Sequence, residues 1–368
     1  MTTTARLSCL VLACMAAALP LRAATNTPPV PAAKGPDSSP AEAAEIAALL
    51  QKYYDDPAAL NGITPANAAA LLGRLPGVAL LPAAPESRAA AVRSELLPGR
   101  IGYWRAAGLS IKDTAALATE LRDWNAGHLR GLVVDLRHCD PPATAEAFAD
   151  AARIAGYFIP EGQLLFSIQG LQTPQKLYQT GPALPGLPLN PAPPLIVLVD
   201  RATAGAAEAL AEALRRQAQA IVVGRSTAGT AALFTYQKLS SGRFLRIPTA
   251  RVLLPDGNPL LGVPVAPDIA VFVDDRTENE ALAQIALGPA ARGLVEAPLR
   301  HRMNEASLVH EENPEIEEVL AEQYRQARRD DPAPLQDVTL MRAIDILKGI
   351  ALFPAGSEAP APADADTP

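Results

Sequence analysis

Few residues in this chain have the type and spacing for covalent chemistry. Thr203 stands just ahead of an Ala-rich run, TAGAAEALAEAL, that reads as a helix. A hydroxyl there could attack a carbonyl if a base took its proton, but the pattern favours an N-cap that accepts a backbone N–H. Ser226, Ser240 and Ser241 fall in turn-like segments, where hydroxyls commonly bond backbone. Lys238 ends an alternating run, Phe234, Tyr236, Lys238, and is expected half-exposed on a strand. His138 and Cys139 are adjacent, yet neighbours in extended chain point to opposite faces, so no Cys/His dyad is expected. His301 and His310, with Glu305 and Glu311, do not have the i, i+4 spacing of a helical zinc site. The acid pairs Asp55–Asp56 and Asp274–Asp275 read as solvated ends of elements. No Gly-rich phosphate loop is present, so neither a metal nor a cofactor is expected.

The elements that must position these residues alternate. Gly131–Leu136 (GLVVDL) and Leu195–Val199 (LIVLV) are continuous apolar runs, as expected for strands buried on both faces. Shorter strands are predicted at 101–104, 163–168, 220–223, 233–239, 244–253 and 269–273. Helices are predicted at 113–126, 143–158 and 203–217. Strands alternating with helices imply an α/β core with parallel pairing. Ahead of it, helices are predicted at 41–56, 65–75 and 87–97; after it, at 278–286, 314–328 and 335–352. A Pro-rich loop spans 181–194.

Composition bounds the rest. The 368 residues are 49% hydrophobic and carry a formal charge of −7, which excludes a wholly disordered chain and argues against a nucleic-acid binder. Arg6, the apolar run Leu7–Leu19, Pro20 and the small pair Ala23–Ala24 form the pattern of an export signal. The chain is therefore expected outside the cytoplasm, in the periplasm of a bacterium. Lipid anchoring at Cys14 is less favoured, because it would leave an apolar region of only about seven residues. With that signal removed, Cys139 is the one remaining cysteine, so no intramolecular disulfide is expected. No later apolar run is long enough to span a bilayer. The organisation predicted is a signal peptide (1–24), a Pro-rich linker (25–40), an N-terminal helical segment (41–98), an α/β core (99–275), a C-terminal helical segment (276–353) and a Pro/Ala/Asp-rich tail (354–368).

From about residue 99 to 275 the segment order resembles the catalytic domain of the carboxy-terminal processing peptidases, or tail-specific proteases. RIGYWRAAGLS resembles the family's opening strand. GLVVDLRHCDPPA stands where the family has a strand, Asp-Leu-Arg, then Asn-x-Pro-Gly-Gly. LIVLVDRATAGAAEALAEAL stands where it has a strand, then Gly-[Ser/Thr]-Ala-Ser-Ala-Ser-Glu. AIVVGRSTAGTAAL resembles Val-x-Gly-x-x-Thr-x-Gly-Lys-Gly, and TARVLLPDGNPLLGVPVAPDIAV resembles the closing stretch. The resemblance implies a ClpP/crotonase-like fold and a serine nucleophile with a lysine base.

Carried over residue by residue, the nucleophile position is Gly205 and the base position Thr230. The Gly-Gly pair that supplies an oxyanion N–H becomes Pro141–Pro142, and a Gln that supports the lysine becomes Phe234. Glycine has no nucleophile, threonine cannot replace an amine base, and proline has no N–H. Asp135, Arg137, Glu208, Gly224, Thr227 and Gly229 survive. Asp135, Arg137, Glu208 and Phe234 are the candidate binding residues. The expectation is a non-catalytic member that binds extended peptide or protein C-termini, with a homo-oligomer as a possible assembly. The alternative is an active peptidase with Thr203 as displaced nucleophile. A CoA-using crotonase relative is disfavoured by export and by the lost oxyanion donor. The family's usual PDZ domain is not expected in residues 41–98, which are too few and too helical.

Overall fold

A computed structural model of the chain describes residues 39–68, 72–83, 92–106, 108–189, 192–288, 291–295 and 335–352. The signal pattern, most of the linker, the helix predicted at 314–328, His301, His310 and the tail lie outside these residues. In chain order the helices are α1 (Pro40–Tyr53), α2 (Ile111–Ala126), α3 (Ala145–Ala155), α4 (Ala206–Gln217), α5 (Asp275–Leu287), α6 (Ala291–Val295) and α7 (Val338–Leu352). The strands are β1 (Ala79–Leu81), β2 (Arg93–Leu97), β3 (Ile101–Arg105), β4 (Gly131–Asp135), β5 (Leu164–Gln169), β6 (Lys176–Gln179), β7 (Leu195–Val199), β8 (Ile221–Gly224), β9 (Ala232–Lys238), β10 (Phe244–Leu253) and β11 (Ile269–Ala270).

Six strands form one sheet in the order β11-β8-β7-β4-β3-β2. Its ladders are parallel except β2–β3. The alternation of strand side chains divides each central strand between two cores. Leu132, Val134, Leu195, Val197 and Val199 face a core shared with α2, α3 and α4. Val133, Ile196 and Leu198 face the opposite core, built with α5, α6 and α7. This two-sided burial is why both apolar runs read as continuous. Gly102 of β3 lies under Trp124 of α2; a Cβ there would sit 2.6 Å from the indole ring.

The second sheet departs from the expected parallel pairing. Its order is β1-β10-β5-β6, with β9 also on β10, and every ladder is antiparallel. The fold is thus α/β with a mixed sheet and an antiparallel sheet. β10 alternates buried and half-buried residues. Leu245 and Ile247 meet Ile46 and Leu50 of α1 in a third core. α1 also grips the β9–β10 turn: Glu42 accepts from Ser241 Oγ at 2.6 Å and from Arg243 at 2.6 and 3.0 Å, and Glu45 accepts from Ser240.

Of the helix predicted at 65–75, residues 69–71 lie outside the described ones, 65–67 form a turn and Leu72–Arg74 a short 3₁₀ helix. Asn67 accepts from Thr64 N–H and donates to Gly62 C=O. Residues 93–97, expected to end a helix, form β2, because pairing with β3 across the turn at 98–100 satisfies their backbone. Leu187 and Leu189 are buried in the core of α2 to α4, and Pro185 accepts from Arg122 of α2.

Candidate functional site

The site lies where β4 and β7 deliver their C-terminal ends, the usual position for chemistry on a parallel sheet. β4 ends in Asp135 and runs on through Arg137 into residues 138–142. β7 runs into a turn at 200–205 and then α4.

Asp135 and Arg137, two of the residues expected to bind ligand, are completely buried. Asp135 accepts from Tyr103 Oη at 2.8 Å and from Arg137 N, Nε and Nη2 at 3.0, 3.0 and 2.7 Å. The outer edge of the Arg137 guanidinium forks onto Asp337, just before α7, at 2.9 and 2.6 Å. Asp337 also caps α7 by accepting from Leu340 N–H at 2.9 Å. Burial works to raise the Asp135 pKa, but Arg137 and Arg105 outweigh it and hold the carboxyl at about 2. The role of this pair is to dock the last helix onto the sheet.

The loop after Arg137 is tied to the β7–α4 turn. His138 N–H donates to Asp200 Oδ1 at 3.0 Å, and its Nε2 lies 3.1 Å from Asp200 Oδ2. Cys139 is buried and its carbonyl accepts from Ala204 N–H at 2.9 Å. His138 thus pairs with Asp200 rather than with the thiol beside it.

Thr203 is completely buried and does not cap α4, a correction to the cap expected for it. Its Oγ1 accepts from Asp200 N–H at 3.0 Å. It has Leu136 C=O at 2.8 Å and Asp200 Oδ1 at 3.0 Å as acceptors for its single proton. The turn itself takes the hydroxyl, because the chain reaches the helix start two residues later.

Gly205 occupies the cap position of α4 with φ 59° and ψ −122°, a conformation that excludes most side chains. Its N–H donates to Glu208 Oε2 at 3.0 Å. The same oxygen accepts from Thr230 N–H at 2.7 Å, with Thr230 Oγ1 at 3.5 Å. The other oxygen accepts from Thr227 Oγ1 at 2.5 Å and Gly229 N–H at 2.6 Å. One buried carboxylate therefore joins positions 205 and 230. Burial raises the Glu208 pKa, against these hydrogen bonds, which lower it. Glu208 is a positioning group, not an exposed ligand contact.

Pro141 completes the triangle. Its carbonyl oxygen lies 4.0 Å from where a Cβ on Gly205 would stand. Thus Gly205, Thr230 and Pro141 converge. Where an oxyanion would need a donor, the loop offers a carbonyl acceptor and, at Pro141 and Pro142, no N–H. Phe234 packs under the Arg246 guanidinium, 4.8 Å from ring centre to Arg Cζ. Lys238 is exposed at the opposite end of β9 from Thr230.

Some charged residues were misread or missed in the sequence. Asp55 is buried and paired with Arg251 rather than solvated. Asp274 caps α5 and Asp275 pairs with Arg225. Asp337 falls inside the helix predicted at 335–352, whereas the helix starts at Val338, and its pairing with Arg137, 200 positions away, leaves no local signal. Among the described residues no group of three or more His, Cys, Asp or Glu is placed to hold a metal ion.

The class defined here is an α/β protein with a mainly parallel sheet, whose β7–α4 turn places Gly205 at the start of the helix. Residues 100–271 match Peptidase family S41. A C-terminal processing peptidase of chloroplasts from Tetradesmus obliquus is 29% identical over 170 residues, 46% of this chain and 35% of that protein. The carboxyl-terminal-processing protease of Synechocystis is 27% identical over 186 residues, 50% of this chain and 41% of that protein. The solved photosystem II D1 C-terminal processing protease aligns over 58% of this chain and 53% of its own, with 26% identity and a TM-score of 0.39. The sequence matches make residues 100–271 similar to the S41 carboxy-terminal-processing peptidases. The matched segment spans well under half the length of the two sequence relatives.

Proposed function

We propose that this chain is a non-catalytic S41-group protein that binds extended peptide beside the vacated nucleophile position. The observation that carries this reading is the pair Gly205 and Thr230, held together by Glu208 with neither a nucleophile nor an amine between them. Thr203 is no substitute, because its hydroxyl is buried and engaged on both sides. β9 begins two residues after Thr230 and, among the described strands, pairs only with β10. Its other edge suits main-chain pairing with an extended peptide. The reading includes a ClpP/crotonase-like core within residues 99–275, helical segments on either side, and an exported protein that works as a scaffold or peptide-binding subunit.

The names of the S41 relatives favour a second reading, an active serine-type endopeptidase with a displaced nucleophile. A fluorescent unstructured peptide followed by anisotropy and mass spectrometry separates the two. Saturable binding with the peptide recovered intact is expected. Cleavage would overturn the non-catalytic half, and absence of binding would overturn the peptide half.

A further inference from the structure

Arg246 on β10 faces Tyr236 across the β9–β10 ladder, and Phe234 lies two residues along β9 on the same face. Its Nε donates to Gly77 C=O at 3.0 Å, and its guanidinium stacks on the Phe234 ring at 4.8 Å. These contacts fix the plane of the fork. Its two terminal nitrogens make no hydrogen bond or ion pair with another described residue. Arg246 is half-buried, so the open donors are partly withdrawn from water.

Asp140 stands beside Pro141, at the rim of the Gly205 position. Burial raises its carboxyl and that of the Tyr236 hydroxyl, while the field of Arg246 lowers both. The three groups thus share one electrostatic neighbourhood, yet Asp140 does not close an ion pair with Arg246. Phe234, Tyr236 and Arg246 share one face of the β9–β10 ladder, and β9 begins two residues after Thr230.

We propose that Arg246 is a carboxylate anchor: its open fork, set against Phe234 and Tyr236, binds a ligand carboxylate on this face of the β9–β10 ladder. This deepens the peptide-binding reading and rests on it for the ligand's class. The carboxylate can come from a peptide C-terminus or from an acidic side chain. A planar, fixed guanidinium with both terminal nitrogens open matches a carboxylate in a two-point contact. Asp140 opposes it by repulsion, which gives the proposal a mutation of opposite sign.

The test uses the full-length protein and three small probes: acetyl-Ala-Ala with a free carboxylate, the same dipeptide as its amide, and acetyl-Glu amide. Titrations are followed by isothermal titration calorimetry in every variant, with the NMR signal of the Arg246 Nε–H reporting engagement in the wild type. Both carboxylates are expected to bind about 10-fold or more tighter than the amide dipeptide. The tighter of the two identifies the source. Arg246→Met, which keeps an apolar stem on Phe234, is expected to abolish the preference. Asp140→Asn is expected to strengthen carboxylate binding several-fold, an effect a merely structural role would not produce. If Arg246→Met does not fold, Arg246→Lys decides, because it keeps the charge but loses the fork and is expected to lose most of the preference. Equal binding of carboxylate and amide, or a preference unchanged in the Arg246 variants, overturns the anchor. Long peptides that bind without a carboxylate preference would sink the anchor and leave the peptide reading standing. Dipeptide carboxylates that bind while long peptides do not would do the reverse.

Discussion

Gly205→Ser combined with Thr230→Lys is expected to leave the protein without robust proteolysis, although it rebuilds both reactive groups of the family. The two positions already converge on Glu208, so placement is not the obstacle. A serine at 205 has room, since the nearest atom to its Cβ is the Pro141 oxygen at 4.0 Å. It must adopt φ 59°, ψ −122°, a strain of about 1–3 kcal/mol for a non-glycine residue. The larger obstacle is charge. The tetrahedral intermediate carries an oxyanion, and the 141–142 loop supplies no N–H to receive it. One missing donor is worth roughly two to three orders of magnitude in kcat. Adding Pro141→Gly and Pro142→Gly to the double variant is therefore expected to raise turnover of a fluorogenic peptide by roughly 100-fold or more over the double variant. High activity in the double variant alone would contradict the oxyanion argument.

Arg137→Met is expected to destabilise the fold by about 3–5 kcal/mol, because it leaves the buried Asp337 without its cation and Asp135 with only Arg105, at 3.5 Å. Urea unfolding would read the loss, and hydrogen exchange would show α7 opening first. The double replacement Arg137→Met with Asp337→Leu is expected to recover part of the stability, since removing both members of a buried pair is far milder than removing one. The same network sets an acid limit. Asp135 titrates at about 2 in the folded protein and near 3.8 unfolded, so the unfolded chain binds the extra proton. Its contribution, about 2 kcal/mol, is fully present above pH 4 and is lost as pH falls from there towards 2. A midpoint in urea that is flat between pH 5 and pH 2 would contradict this assignment.

The central parallel sheet was legible because GLVVD and LIVLV are buried on both faces and carry no competing pattern. The antiparallel sheet was less legible. β1 and β6 are three and four residues long, and β6 is mostly exposed, so no apolar period marks them. β2 is five residues with two charges, equally compatible with a turn of helix, and only its long-range pairing with β3 decides. At the site, the spacing from Gly205 to Thr230 was readable from the motifs, and Glu208 explains it physically by holding both backbones. The burial of Asp135, Arg137 and Thr203 was not readable. It depends on Asp337 and Leu136 arriving from other elements.

The most direct measurement is fluorophosphonate labelling of the purified wild-type protein beside an active serine peptidase control. A vacated nucleophile position with Thr203 engaged in the turn predicts no adduct by intact-mass spectrometry. A stoichiometric adduct on wild-type protein that disappears in Thr203→Val would contradict the non-catalytic reading and establish a displaced nucleophile.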